Sequence, residues 1–179
     1  ECSKKTLVLV DEAYTEFENL PSLKDMVVKN KNIIIAKTFS KIYGLAGARI
    51  GYAIAHPDTI KQLAKFQPWP DVSLSAVTAS AAMASLKDEA FVNDCRKKNA
   101  TAREMCYAAF KQLKLDYMPS TASFVMFDIS RFGDRYSQQM QSKNIFVQYR
   151  DFFGGKWSRV SMGTIEEMEM FCNALKTIT

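Results

Sequence analysis

Soft metal ligands are scarce in this 179-residue sequence: it has one histidine, His56, and four cysteines, Cys2, Cys95, Cys106 and Cys172, with no C-x-x-C pair among them. That scarcity argues against a zinc site and reads the cysteines as reduced thiols, mostly buried. No apolar run approaches the roughly 20 residues that a bilayer requires, and Glu1-Cys2-Ser3-Lys4-Lys5 does not read as a signal peptide. A soluble cytoplasmic protein without a membrane partner is the expectation. The formal charge of +5 is spread over 24 basic residues interspersed with 19 acids, with no basic arm or aromatic-interleaved stripe, so a nucleic-acid partner is not expected either. Internal repeats and low-complexity tracts are lacking too.

What the chain has is apolar material, 47% of its residues, enough for a real core. Residues 7–10 and 33–36 are short continuous apolar runs, the pattern of strands covered on both faces, with a helical stretch expected near residues 23–30. Together they read as a βαβ unit. A third strand is expected over residues 50–55, then a helix entered through His56-Pro57-Asp58, with Pro57 where its missing N–H costs nothing. Small residues over 75–86 and an apolar face comprising Ala102, Met105, Cys106, Ala109, Phe110 and Leu113 predict two further helices, the second running from Glu89 to about Leu113. Beyond Pro119 the pattern predicts strand (123–128), helix (131–143), strand (145–149), strand (157–162) and a last helix opened by a Thr164/Glu167 capping box. The expected class is α/β, with residues 1–92 as part of a larger domain and residues 93–179 as a long connecting helix and a small α/β domain. The early entry into a strand without an initiator Met suggests a portion of a longer chain.

Ligands of open α/β sheets bind beyond the carboxyl ends of the strands, which singles out Asp11. By itself Asp11 fits three readings: a functional acid, the magnesium-binding acid of a nucleotide-hydrolysing strand, or a turn cap. The stretch Thr38-Phe39-Ser40-Lys41-Ile42-Tyr43-Gly44-Leu45-Ala46-Gly47-Ala48-Arg49-Ile50-Gly51-Tyr52 is more telling. It combines a lysine flanked by hydroxyls with an arginine set among glycines, all after a buried strand. Glycines allow tight turns and close backbone approach, and a guanidinium offers a planar fork to a phosphate. The arrangement suits an anion-binding loop that leaves one amine unspent; the plain alternative is that Lys41 is a solvated surface lysine.

With these residues in hand, the chain resembles fold-type I pyridoxal-phosphate aminotransferases of class I/II, above all their histidinol-phosphate aminotransferase branch. The family's D-E-A-Y and T-x-S-K-x-x-x-L-A-G-x-R-x-G patterns occur in order at Asp11 and Thr38, and Arg159-Val160-Ser161-Met162-Gly163-Thr164-Ile165-Glu166-Glu167 is similar to its R-[IV]-[ST]-x-G-T-x-E-E. The resemblance covers essentially the whole chain. It implies that Lys41 carries pyridoxal 5′-phosphate as a Schiff base and that Asp11 bonds the pyridine nitrogen. It further implies that Tyr14 donates to the phenolic oxygen, that Ser40 and Arg49 hold the phosphate, and that Lys41, once released, moves the substrate proton. Arg159 would clamp the substrate carboxylate; read alone, it would be a surface arginine at a strand edge. Tyr43, Tyr52 and Trp69 could line the pocket or belong to the core. Amino-acid and 2-oxo-acid substrates and a homodimer are implied for the complete protein.

The sequence departs from the family in two places. Ser123 stands where an Asn is usual, and Gln148-Tyr149-Arg150 follows a segment after which the branch tends to place an arginine at once. The substrate is open on this ground, and a threonine-phosphate decarboxylase-like relative would share Lys41, Asp11 and Arg49. Family members are also about twice as long, and their upstream half supplies a glycine-rich phosphate turn and the aromatic that stacks on the ring. The isolated chain is therefore expected to bind the cofactor weakly and to be inactive.

Overall fold

The structure, a computed structural model, describes residues 1–67, 69, 74–152 and 154–178. The chain forms two compact units, Glu1–Asn93 and Asp94–Thr179.

The first unit is built on a sheet in the order β1-β2-β3. β1 (Val8–Asp11) runs parallel to β2 (Ile33–Thr38), with Val8 opposite Ile33 and Asp11 opposite Ala36. β3 (Gly51–Ala55) returns antiparallel to β2, with Thr38 opposite Gly51 and Ile34 opposite Ala55. The parallel pair confirms the βαβ expectation, although the helix between, α1 (Lys24–Val27), is shorter than its apolar pattern suggested. Val27 packs on Ile33 and Ile35, with Val10 and Ile54 against them. All of Ile33, Ile34 and Ile35 are buried, as a two-faced core strand requires, whereas Leu7 and Leu9 are 57% and 67% exposed. Among the described residues, β1 is thus covered on only one face. α2 (Pro57–Ala64) is capped by His56, whose Nδ1 accepts the Asp58 N–H at 3.2 Å. α3 (Ala76–Ser85) is capped by Ser75, and α4 (Glu89–Gln112) continues into the second unit.

The second unit carries an antiparallel sheet in the order β4-β5-β7-β6. Its strands are β4 (Tyr117–Met118), β5 (Phe124–Asp128), β6 (Gln148–Phe152) and β7 (Gly155–Ser161). One face of this sheet, through Val125, Phe127 and Val160, buries against Ala102, Cys106, Ala109 and Phe110 of α4 and Met168, Phe171 and Leu175 of α6 (Ile165–Thr177). The Thr164/Glu167 capping box at the start of α6 is present, with both reciprocal bonds made.

Three elements differ from expectation. β4 carries no two-residue signal that alternation could detect. The helix expected over 131–143 is interrupted at Gly133, whose φ of +64° is not helical, leaving a 3-10 stretch, Ser130–Arg135, and a short α5 (Tyr136–Gln141). The strand expected over 145–149 begins at Gln148 instead. Ile145 and Val147 pack on the core, but strand pairing is set by the hairpin, in which Phe152 faces Gly155 and Gln148 faces Arg159. Burial and ladder pairing part company there, and the apolar signal tracked burial alone.

Candidate functional site

Because β1 and β2 are parallel, their carboxyl ends lie at the same edge of the sheet. Asp11 ends β1, Thr38 ends β2, and residues 39–50 form the loop back to β3. The Asp11 side chain is exposed, and its Oδ1 accepts the Ala13 N–H at 3.0 Å, which turns the chain toward Tyr14. The Lys41 Nζ lies over the Tyr14 ring, 5.2 Å from its centroid. That contact joins two segments far apart in sequence.

The loop is tied shut at its root. Phe39 N–H donates to Ile50 O at 3.2 Å, Leu45 N–H to Phe39 O at 3.0 Å, and Gly44 N–H to Lys41 O at 2.9 Å. Phe39 and Ile50 are buried against Ala82 of α3, so the loop is rooted in the core while Lys41 and Arg49 remain exposed. Ser40 N–H donates to Thr38 Oγ1 at 3.1 Å. Arg49 sits in the left-handed region, φ +50° and ψ +49°, and its Nη1 donates to Ala46 O at 2.9 Å. Gly51 is required for a different reason: a Cβ there would stand 2.7 Å from Lys37 O across the β2/β3 ladder. The structure therefore gathers Asp11, Tyr14, Ser40, Lys41 and Arg49 on two neighbouring loops of the first unit.

Sequence reasoning overlooked the group beneath them. Lys37 Nζ, 11% exposed, lies 2.7 Å from Glu16 Oε1, 3.0 Å from Glu12 Oε2 and 3.0 Å from Thr15 Oγ1. Glu12, 3% exposed, also accepts the Leu23 N–H at 2.8 Å through Oε1. Burial opposes charge on Glu12, but the Leu23 N–H, Ser22 and Lys37 outweigh it and hold the carboxyl below its usual range. For Lys37, too, burial works against the charge, and Glu16 and Glu12 reverse this and raise the amine above its usual range. The network clamps the 12–23 turn, which presents Tyr14, to β2, which leads to Lys41. A lysine in a strand opposite an acidic turn was the available signal, hidden because β2 otherwise reads as a buried apolar run. Lys41, by contrast, has no ion pair among the described residues.

Arg159 belongs to the second unit, on β7 between Met126 of β5 and Gln148 of β6. Its guanidinium carbon is 3.9 Å from the Phe124 ring centroid. It lines two clefts of about 590 and 380 Å³; Gln148 lines both with it, and Arg150 and Trp157 line the smaller. Tyr43 and Tyr52 pack on Phe39, with ring centroids at 5.2 and 5.7 Å, and Trp69 is 72% exposed. Among the described residues, no three His, Cys, Asp or Glu side chains cluster so as to hold a metal, and no helix is long and apolar enough to cross a membrane.

The chain that carries this acid and this rooted loop of lysine and arginine matches the profile of the aminotransferase class I and II family over residues 2–175, and it belongs to that family. Relatives with a narrower name stand behind that assignment. The chain is 40% identical over 177 residues to the histidinol-phosphate aminotransferase of Moorella thermoacetica, covering 96% of this chain and 45% of that protein. Among solved structures, a putative histidinol-phosphate aminotransferase from Erwinia carotovora atroseptica superposes with a TM-score of 0.88 at 32% identity, covering 96% of this chain and 50% of that one. The Sinorhizobium meliloti histidinol-phosphate aminotransferase, solved in complex with pyridoxal-5′-phosphate, superposes with a TM-score of 0.84 at 29% identity, covering 95% and 48%. The chain spans about half the length of the curated relatives it matches.

Proposed function

We propose that this chain supplies the lysine-bearing part of a pyridoxal-phosphate site in an aminotransferase acting on histidinol phosphate or a related amino compound, with a 2-oxo acid as the other substrate. Residues 1–92 then belong to the large cofactor-binding domain, residues 93–179 form the connecting helix and small domain, and the complete protein is a homodimer. The observation that carries the reading is the approach of Lys41 to Tyr14 at the carboxyl end of β1 and β2, 5.2 Å from amine to ring centroid. The residues fit the cofactor chemically. Asp11 offers a carboxylate to a protonated ring nitrogen, Lys41 an amine to an aldehyde, and Ser40 and Arg49 a hydroxyl and a guanidinium to a phosphate.

When bound, pyridoxal phosphate supplies an electron-accepting ring conjugated to the substrate amine. Asp11 keeps a proton on the ring nitrogen by pairing with it. Tyr14 donates its hydroxyl to the phenolic oxygen, and Ser40 and Arg49 anchor the phosphate so that the ring keeps its place when Lys41 is displaced. Once freed, the Lys41 amine would hold the proton taken from the substrate Cα and return it on the far side of the substrate nitrogen. Arg159 orients the substrate by its carboxylate. Decarboxylation on the same scaffold is the less favoured reading, since the relatives just described carry aminotransferase names.

Borohydride reduction of the complete, cofactor-loaded protein followed by peptide mapping should place the cofactor on Lys41. Recovery on Lys37, the nearby amine already committed to Glu12 and Glu16, would overturn the assignment. Arg159→Lys should raise KM for the amino-acid substrate and cost about 2–3 kcal/mol in kcat/KM, because one point charge replaces two parallel bonds. Cofactor absorbance should stay nearly unchanged. Bleaching as the main effect would assign Arg159 another role.

A further inference from the structure

The second unit holds a pair of cysteines that the proposed chemistry does not use. Cys106 on α4 is fully buried, and Cys172 on α6 is 7% exposed. Both thiols lie in the core that these two helices share, close enough for each to shift the other's ionisation. The Cys172 S–H in turn lies 3.8 Å from the carbonyl of Met105, the residue next to Cys106. Only one member of the pair meets solvent: Cys172, but not Cys106, lines a cavity of about 290 Å³ between the helices, which Met105, Ala108, Glu169 and Lys176 also line. The pair is therefore unequal, an outer thiol at a cavity wall and an inner one behind it.

We propose that Cys172 and Cys106 form an oxidisable dithiol, in which an alkyl hydroperoxide entering the α4/α6 cavity converts the pair to a disulfide. The Cys172 thiolate attacks the terminal peroxide oxygen, the O–O bond breaks, and an alcohol leaves with a proton from solvent. Cys172 is then a sulfenic acid. Cys106 sulfur attacks Cys172 sulfur, the S–O bond breaks, and the hydroxide leaves as water with the Cys106 proton. The two thiols together lose two electrons, which the peroxide gains. The surroundings suit this division of labour. The Cys106 thiol beside it, helped by Lys176 one turn along α6, outweighs burial and lowers the Cys172 thiol below its usual range. The same contact, followed by burial, pushes the Cys106 thiol up.

The test uses the 179-residue chain with Cys2→Ser and Cys95→Ser, which removes the exposed and half-buried thiols. After treatment with tert-butyl hydroperoxide, its intact mass should fall by about 2 Da, the loss of two hydrogens on disulfide formation. A non-reducing peptide map should join the Cys106 and Cys172 peptides. Adding Cys106→Ser should halt the reaction at a dimedone-trappable sulfenic acid on Cys172. In the unmutated chain, iodoacetamide should modify Cys172 on the order of tenfold faster than Cys106. Two thiols still titratable after peroxide, oxidation of Cys172 only to the sulfinic acid, or faster alkylation of Cys106 would each overturn the proposal.

Discussion

Lys37→Met should lower the unfolding free energy of the chain by about 3–5 kcal/mol, the cost of leaving a buried carboxylate without its partner. The cation stands 3.0 Å from a glutamate that is 3% exposed, and a thioether can neither neutralise it nor donate to it. Urea unfolding of the two chains measures the difference, and Glu12→Gln added to Lys37→Met should recover part of it. The pH dependence follows from the two opposed shifts. Glu12 has its folded pKa depressed, so its contribution is fully present above the unfolded value of 4.5 and is lost as pH falls from there through the folded value. Lys37 has its folded pKa raised, so its contribution is fully present below 10.5 and is lost as pH rises from there through the folded value. The variant should thus differ most from the parent between these limits and converge with it outside them. Equal stability at pH 7 would show that the network contributes nothing to the fold.

Lys41→Ala should have the opposite profile. Lys41 is exposed and without an ion pair among the described residues, so its removal should leave the unfolding midpoint of the chain where it was. In the complete, cofactor-loaded protein the same change should cut turnover by at least about 10³-fold, the scale of a lost general base and acid. Lys41→Arg should restore no activity, because a guanidinium stays protonated and cannot accept the substrate proton. A stability loss matching the activity loss would mean that Lys41 is structural. Turnover within a factor of ten of the parent would move the proton transfer to another group.

The two variants mark what was legible in the sequence. Asp11, Ser40, Lys41 and Arg49 could be singled out because each combines a chemical type with a position after an apolar run, and type and position are both written linearly. Tyr14 and Arg159 entered only with a family pattern, since an aromatic or an arginine in isolation fits a core or a surface equally well. The Lys37, Glu12 and Glu16 network was not legible, because it depends on β1 and β2 lying side by side in parallel, with the 12–23 turn folding its acids back onto β2. The fold followed the same division. The βαβ order, α4, β5 and the α6 cap came from local patterning, whereas β4 and the start of β6 are set by partners elsewhere in the chain.

Arg49 holds a backbone conformation that glycine adopts freely and asparagine tolerates, and that costs a longer side chain of order 1 kcal/mol. The position is therefore under two pressures with different answers. A population of variants screened for heat resistance alone would drift toward glycine or asparagine there, and one screened for hold on an anionic ligand would keep the guanidinium. Which residue survives at that codon reports what the lineage was being selected to do.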